Sequence, residues 1–285
     1  MLDSPRVPLP LRRRRAVHHL LLVLRLLEQR LADLLEDDVA FVRVEQLHRL
    51  RGELPGTLHM IHHGDGRLVV AELDAVELFF ERGWTDGLAI VPPTQDLVEA
   101  MIRASGREPQ EEIGEIPPVQ GIATIEKLAI NSVMAGCRSE YFPIVIAAVE
   151  AMLVPEHNLN GVQTTTHCCV PLVIVNGPIA TQLKFNASDG VFGNGFRANG
   201  TVGRAIRLIL WNLGGNVPGE VDKSTQAHPG KWSFCIAEKE DASPWSPFHV
   251  ERGIETGKNA VTVFSDTAAD LDFQRFETTS RYWTG

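Results

Sequence analysis

The sequence predicts a mixed α/β fold, of either the α+β or the α/β type, with buried helices around a small mixed sheet. Apolar residues recur at helical spacing in several segments, most regularly over 199–213. Short β-branched runs, such as residues 170–175, end at turn residues and are typical of buried strands. Glycine and proline separate the helical segments from the strands.

Composition divides the chain into three segments. Residues 1–70 are predicted to form an N-terminal helical appendage of undetermined role, residues 71–265 the main α/β domain, and residues 266–285 a polar tail. Within the main domain, helices are expected over 71–82, 95–104, 124–135, 140–153, 178–184 and 199–213. Strands are expected over 88–91, 170–175, 231–237 and 259–264, and a Gly/Pro/Glu-rich loop over 105–121.

The composition is that of a globular protein and argues against nucleic acid as a partner. Hydrophobic residues make up 44% of the 285 residues and charged residues 22%. The formal net charge of −9 disfavours binding to phosphate backbones, which requires clustered Lys and Arg. The basic cluster at residues 12–15 is interpreted as a solvated segment rather than a contact for membranes or polyanions.

Neither a targeting signal nor a membrane span is expected. The leucine-rich run after residues 12–15 imitates a signal peptide, but Arg25 interrupts it and no small-residue cleavage site follows. No stretch reaches the ~18–20 apolar residues that a membrane span needs. Four cysteines in a chain of this length, two of them adjacent at Cys168 and Cys169, predict reduced thiols rather than a disulfide framework. Together these features predict a cytoplasmic location.

Cys137 is the leading candidate for a catalytic nucleophile. It follows a glycine that ends one predicted helix, and it lies just before the next. The free N–H groups of that next helix and the neighbouring Arg138 would lower the pKa of the thiol and favour the reactive thiolate. The alternative interpretation is a small buried packing residue, because cysteine is among the most buried residue types.

His167 is one candidate for the acid or base that would serve Cys137. It stands after a run of threonines and just before the predicted strand over 170–175. Strand ends are positions from which side chains can face a ligand, and an imidazole titrates near neutral pH. A core histidine that bonds to the backbone is the alternative. Spacing does not show whether this residue lies near Cys137.

His228 is the second acid/base candidate. It opens the segment His-Pro-Gly-Lys, in which Lys231 is a candidate to pair with an anionic substrate. The segment leads to Cys235 and then to Glu238 and Glu240. This concentration of polar groups is larger than an ordinary surface loop requires.

The predicted substrate-binding residues carry amide or cationic groups that suit a small anionic molecule. They are Asn176, Asn194, Arg197, Asn199 and Lys231. Asn176 follows a predicted strand and could donate to a substrate oxygen. The loop over 193–199 precedes a helix and resembles an anion cradle, although it lacks the glycine spacing of a dinucleotide-binding motif. A structural turn is the alternative at both places.

The sequence assigns no cofactor and no set of metal ligands. A zinc site would need His167 and Cys168 or Cys169 to converge with more distant groups such as Cys235 or His228. The chain has no Cys-x-x-Cys pair to support such a site.

Several motifs between residues 79 and 252 resemble those of a poorly characterised bacterial family. They are Trp-Thr-Asp-Gly-Leu at 84–88, Val-Met-Ala-Gly-Cys at 133–137, Asn-Gly-Pro-Ile-Ala at 176–180, His-Pro-Gly-Lys at 228–231 with Ser-Phe-Cys at 233–235, and Ser-Pro-Trp at 243–245. Members of that family are associated with small thiol or selenol proteins that carry a U/C-G-S-C motif. The resemblance implies a component of a sulfur- or selenium-linked redox system. Since this chain has no Cys-Gly-Ser-Cys, a partner would supply that motif.

These observations predict an enzyme that acts on a small anionic organic substrate through the thiolate of Cys137, by thiol-linked redox or transfer chemistry. The alternatives are a cysteine-dependent hydrolase or lyase, and a non-catalytic subunit that completes a site with a redox partner protein. A homo-oligomer is also compatible with the sequence.

Overall fold

The computed structural model describes residues 76–267 together with the strand Thr279–Arg281. The predicted N-terminal appendage over 1–70 lies outside the described residues, as does most of the predicted polar tail. The described part covers most of the segment predicted as the main domain and includes one strand from the predicted tail.

Within the described residues, six strands form two sheets. The strands are β1 (Glu112–Ile116), β2 (Gly121–Thr124), β3 (Cys169–Asn176), β4 (Cys235–Ala237), β5 (Ala260–Thr267) and β6 (Thr279–Arg281). β1 and β2 pair as a small antiparallel sheet, and the others form a mixed sheet in the order β4-β3-β5-β6. β3 runs parallel to β4, with Val173 opposite Cys235, and antiparallel to β5. The parallel pair brings the ends of β3 and β4 to the same edge of the sheet.

Helices cover this mixed sheet. They are α1 (Gln95–Ser105), α2 (Ile125–Met134), α3 (Phe142–Met152), α4 (Leu159–Thr164), α5 (Pro178–Gln182), α6 (Arg197–Asn212) and α7 (Phe248–Glu251). A further helical stretch spans residues 76–81, and short 3-10 turns occur at Ser139–Tyr141, Pro155–His157 and Pro229–Lys231.

The core is organised around α3. Every residue of α3 except Glu150 is buried, which is expected of a helix that is apolar on all its faces. The helix contacts α1, α2, α6 and β5. Full burial of a large apolar side chain such as Phe142 or Ile144 contributes about 1.5–3 kcal/mol of stabilisation. α6 is instead amphipathic and packs its apolar face on α2 and β4.

The predicted fold class is confirmed, because helices and two small sheets make up the described part of the chain. Three local predictions are wrong. The expected loop over 105–121 contains β1, and residues 88–91 do not form a strand. The strand expected over 231–237 begins only at Cys235, because residues 229–231 form a 3-10 turn that starts at Pro229.

Within the described residues, no single helix is long and apolar enough to cross a membrane. The helical segments Ser139–Met152 and Pro155–Thr164 are together long and apolar enough to cross one, but a bend of 76° separates them.

Candidate functional site

Cys137 lies in a tight loop that its backbone fixes firmly. α2 ends at Met134, and Gly136 then adopts a left-handed conformation with φ of 86°. The N–H of Cys137 donates to the carbonyl oxygen of Ser132 at 3.0 Å, which closes the turn. The loop directs the side chain of Cys137 into the hydrophobic core, where the residue is only 8% exposed.

Burial dominates the electrostatics of the Cys137 thiol. It raises the pKa of Cys137 to about 12, although a hydrogen bond with Thr201 and the charges of Arg197 and Arg204 act in the opposite direction. The expectation of a lowered pKa is therefore wrong in direction. The next α-helix begins only at Phe142, after a 3-10 turn, and desolvation outweighs the nearby positive charges.

Cys235 lies in the same buried core as Cys137, near enough that the charge of one thiolate would affect the other. It begins β4 and is buried. Burial and the proximity of Cys137 both raise the pKa of Cys235. α6 approaches the segment before β4 very closely, since a Cβ on Gly203 would lie 2.3 Å from Oγ of Ser233 and 2.5 Å from the backbone nitrogen of Phe234. This close packing fixes the position of Cys235, and we call Cys137 and Cys235 the thiol pair.

Two arginines on α6 face the region of the thiol pair. Nε and Nη2 of Arg197 donate to the carbonyl oxygen of Gly136 at 3.2 and 2.9 Å. Arg204 forms a bidentate ion pair with Asp86 at 2.8 and 2.7 Å. Burial alone would raise the pKa of Asp86, but the hydrogen bond and charge of Arg204 prevail and hold it below its usual value. Asp86 therefore anchors an arginine.

A second group of polar side chains lies where β3 and β4 end. Asn176 is the last residue of β3, and Glu238 follows β4 directly. The amide Nδ2 of Asn176 donates to Glu238 and, at 2.9 Å, to Glu240. The N–H of Gly177 donates to Oε1 of Glu240 at 2.7 Å. Asn176 was predicted to donate to a substrate oxygen, and in the structure its amide donates to two carboxylates of the chain itself.

His249 joins these carboxylates from α7. Glu238, Glu240 and His249 each offer a ligand atom, and these atoms lie within 4.8 Å of one another; we call them the carboxylate–histidine cluster. Sequence reasoning noted both glutamates but missed His249. The sequence offers one signal for this cluster: a Glu-x-Glu pair directly after a strand, followed by a histidine on the next short helix. The signal is weak, because the spacing does not show that the loop between them brings the histidine back to the glutamates.

The other sequence-predicted residues lie elsewhere. His167 is exposed and lies just before the start of β3, whereas Asn176 is the last residue of this strand. The strand alone spans roughly 23 Å at ~3.3 Å per residue, so the two residues lie at opposite ends of it. Nδ1 of His228 accepts the N–H of Gly230 at 3.0 Å and so caps a 3-10 turn. Nζ of Lys231 pairs with Asp222 at 2.8 Å.

Lys231 has a perturbed environment. Burial lowers the pKa of Lys231, and the charge of Arg207 lowers it further, while the hydrogen bond and charge of Asp222 act to raise it. Cys169 lies near enough that its thiolate would also raise this pKa. Lys231 is therefore engaged with Asp222 at the end of the sheet that is opposite to Asn176.

The predicted substrate-binding residues in the loop over 193–199 differ in burial. Asn194 and Arg197 are exposed. Asn199 is buried, where its side chain accepts the N–H of Asn186 at 2.8 Å and donates to the carbonyl oxygen of the same residue at 3.0 Å. Both polar atoms of the Asn199 amide therefore bond to the backbone of Asn186, and the substrate contact expected at Asn199 stays a prediction.

Comparisons of the chain with protein-family models, with curated proteins and with solved structures find no match. The geometry of the two groups, the thiol pair and the carboxylate–histidine cluster, therefore carries the functional argument.

Proposed function

We propose that the chain is an enzyme that acts on a small anionic molecule by thiol-linked redox chemistry, with the thiol pair as its reacting group. The observation that carries the proposal is that Cys137 and Cys235, distant in sequence, belong to the same buried core and lie near enough for their charges to interact. Arg197, which is exposed beside the loop of Cys137, supports the anionic character of the substrate, because a guanidinium has five N–H donors and only two contact Gly136.

Burial defines the kind of redox chemistry that fits. Both thiols are protonated at neutral pH, because burial raises the pKa of each. When an Sγ–Sγ bond forms between them, the pair releases two electrons and two protons. These reduce a disulfide or selenenylsulfide of the substrate or partner to two thiols, or to a thiol and a selenol. A dithiol that is poorly stabilised as thiolate is expected to be a reductant, the opposite of an oxidant whose reduced form is stabilised.

A cysteine-dependent hydrolase or lyase is supported less well. Such enzymes need only one reacting thiol, whereas Cys235 lies near Cys137. The raised pKa of Cys137 does not separate the two proposals, because thiol–disulfide exchange also begins with attack by a thiolate. A non-catalytic subunit is the second candidate. The exposed aromatic side chains of Phe192, Trp232 and Trp245 favour it, because large exposed apolar groups are common where partners dock.

A redox titration tests the proposal. The purified chain is equilibrated in buffers of reduced and oxidised dithiothreitol, free thiols are trapped under denaturing conditions, and linked peptides are identified by mass spectrometry. We expect one disulfide, between Cys137 and Cys235, with a potential more negative than the about −270 mV of a reducing thioredoxin. In the reduced native protein, alkylation of Cys137 should be slow at pH 7 and should accelerate about tenfold per pH unit.

Matched variants make the titration specific. Cys137→Ser and Cys235→Ser should each abolish the disulfide, whereas Cys168→Ser should leave its potential unchanged. Thiols that stay reduced across the whole titration would overturn the redox proposal. A stable complex with a thiol or selenol protein under those conditions would then favour the non-catalytic subunit.

A further inference from the structure

His249 is a buried imidazole without a hydrogen-bond partner. It is 1% exposed, and neither Nδ1 nor Nε2 has a donor or acceptor within bonding distance. A buried polar group left unpaired costs about 1–3 kcal/mol, so nearly all such groups in folded proteins are paired. Nδ1 lies 3.8 Å from Oε1 of Glu240, which is too long for a hydrogen bond. The ring is held beside a carboxylate without bonding to it.

Two carboxylates face this ring, and the donors that bond to them among the described residues include an amide and two backbone N–H groups. Asn176 donates to both carboxylates through its amide. Two backbone N–H groups also donate to them: that of Gly177 to Glu240, and that of Phe248 to Glu238 at 2.9 Å. These donors are uncharged, so they orient the carboxylates without neutralising their charge. Two partly buried carboxylates side by side repel each other, and a cation between them removes that repulsion.

Asn176 supplies a second unpaired group at the same place. Its side chain is fully buried, and Oδ1 has no hydrogen-bond partner. Nδ2 of the same amide contacts both carboxylates, so Oδ1, which is bonded to the same carbon atom as Nδ2, lies close to the cluster. An ion at the cluster, or a water molecule bound to that ion, would provide the missing partner for a carbonyl oxygen.

We propose that Glu238, Glu240 and His249 bind a divalent first-row transition-metal ion. Two carboxylate oxygens and one imidazole nitrogen suit Zn²⁺ or Mn²⁺ better than Ca²⁺ or Mg²⁺, which favour sites built from oxygen alone. Three protein ligands leave coordination positions open, as in catalytic rather than structural metal sites. This inference is independent of the thiol pair.

The distances in the cluster suit an ion after a small adjustment. Ligand atoms that each lie about 2.1 Å from a metal ion are separated by about 3.0–3.4 Å at ordinary coordination angles. The ligand atoms here lie within 4.8 Å of one another, and Nδ1 of His249 is 3.8 Å from Glu240. The two glutamates are only half-buried, so their side chains can move inward by the few tenths of an ångström to one ångström that coordination requires.

The cluster also occupies a favourable position in the fold. Asn176 ends β3 and Glu238 follows β4, and these two strands are parallel neighbours. In sheets with parallel strands, ligands commonly bind beyond the carboxyl ends of those strands. The sheet therefore provides a rigid base for the three ligands.

Metal titration of the full chain tests the inference. The protein is stripped with a chelator and titrated with ZnCl₂ and, separately, MnCl₂ by isothermal calorimetry, and the ion is located by anomalous diffraction at the metal absorption edge. We expect one ion per chain, with its anomalous peak between Glu238, Glu240 and His249. Glu240→Gln should weaken binding at least about tenfold, while its remaining oxygen still accepts from Asn176 and Gly177.

Control variants separate loss of the ion from loss of the fold. His249→Ala should abolish binding, and Glu251→Gln, which removes an exposed carboxylate from the same helix, should not change it. Circular dichroism checks that each variant is folded. Absence of a one-to-one ion in the wild-type chain, or an anomalous peak elsewhere, would overturn the proposal. Binding of Mg²⁺ or Ca²⁺ in preference to Zn²⁺ and Mn²⁺ would overturn the assignment of the ion class.

Discussion

His157 and Cys137 respond to burial in opposite directions for the same reason. Burial disfavours the charged form of any group, so it lowers the pKa of His157 to about 4 and raises the pKa of Cys137 to about 12. Both side chains are therefore neutral at pH 7. For Cys137 the consequence is slow chemistry unless a partner removes its proton, and for His157 it is a pH-dependent stability.

His157→Gln is expected to remove part of the acid sensitivity of the fold. Below about pH 6.5 the unfolded chain binds a proton at this residue, whereas the folded chain does so only near pH 4. The unfolded state binds more protons between these values, so the free energy of unfolding falls as the pH falls through them. The contribution of His157 to the loss between pH 7.5 and pH 5 should be about 2 kcal/mol, measured by urea unfolding at both pH values.

The matched control for that experiment is His167→Gln. This variant makes the same change at an exposed histidine, so it shows what the substitution does where the side chain is not buried. Glutamine at position 157 can still bond to Ser265, which lies 3.3 Å from Nε2 of the histidine, so the variant should fold. An acid sensitivity that is identical in His157→Gln and in the wild type would contradict the assignment.

At the scale of elements, periodicity predicted the helices well because their apolar faces are long and regular. α2, α3 and α6 begin and end within a few residues of the predicted bounds. The strand β1 was missed because its residues, Glu-Ile-Gly-Glu-Ile, are rich in groups typical of loops. Its pairing with β2, a contact outside the segment itself, is what makes it a strand.

The candidate site was predicted less well, since it depends on which segments meet. The sequence singled out Cys137 as the leading nucleophile, but it does not reveal that Cys235 lies in the same buried core, near enough for their charges to interact. Nor does local sequence give the degree of burial, which reverses the expected shift in the pKa of Cys137. His249 was missed because a single histidine on a helix of four residues has no pattern that marks it.

Substitution of two glycines on α6 tests how closely this helix packs against the segment before β4. Gly203→Ala should lower the free energy of unfolding by about 1–3 kcal/mol, because the new Cβ would lie 2.5 Å from the backbone nitrogen of Phe234. Gly200→Ala should raise it by about 0.5–1 kcal/mol, because no atom lies within 4 Å and alanine favours the helix. Urea unfolding of both variants measures the difference. Equal effects in the two variants would contradict the close approach.

At the scale of the whole molecule, one short strand connects the two candidate sites. Cys235 begins β4 and Glu238 follows it, so the thiol pair and the carboxylate–histidine cluster are separated by only three residues, roughly 10 Å of extended chain. β4 lies at the edge of the sheet and depends on β3 for its pairing. A change that shifts β4 is therefore expected to disturb both sites together.

The opposite edge of the sheet provides the last prediction. β6 pairs with β5 and so covers the hydrogen-bonding groups of Val261 and Val263. Deletion of residues 268–285 removes β6 and makes β5 an edge strand. We expect the melting temperature to fall by about 5 °C, given two or three lost hydrogen bonds worth about 1 kcal/mol each. We also expect concentration-dependent association, because an uncovered strand can pair with another chain.

Light scattering coupled to size-exclusion chromatography measures that association, and deletion of residues 282–285 alone is the matched control. The shorter deletion keeps β6 and should behave like the full chain in both assays. If the longer deletion leaves both the melting temperature and the oligomeric state unchanged, β6 does not protect the sheet. If both deletions associate equally, the protection comes from the last four residues rather than from strand pairing. The expected pattern, association in the longer deletion only, would show that a strand from the predicted polar tail completes the sheet that carries both candidate sites.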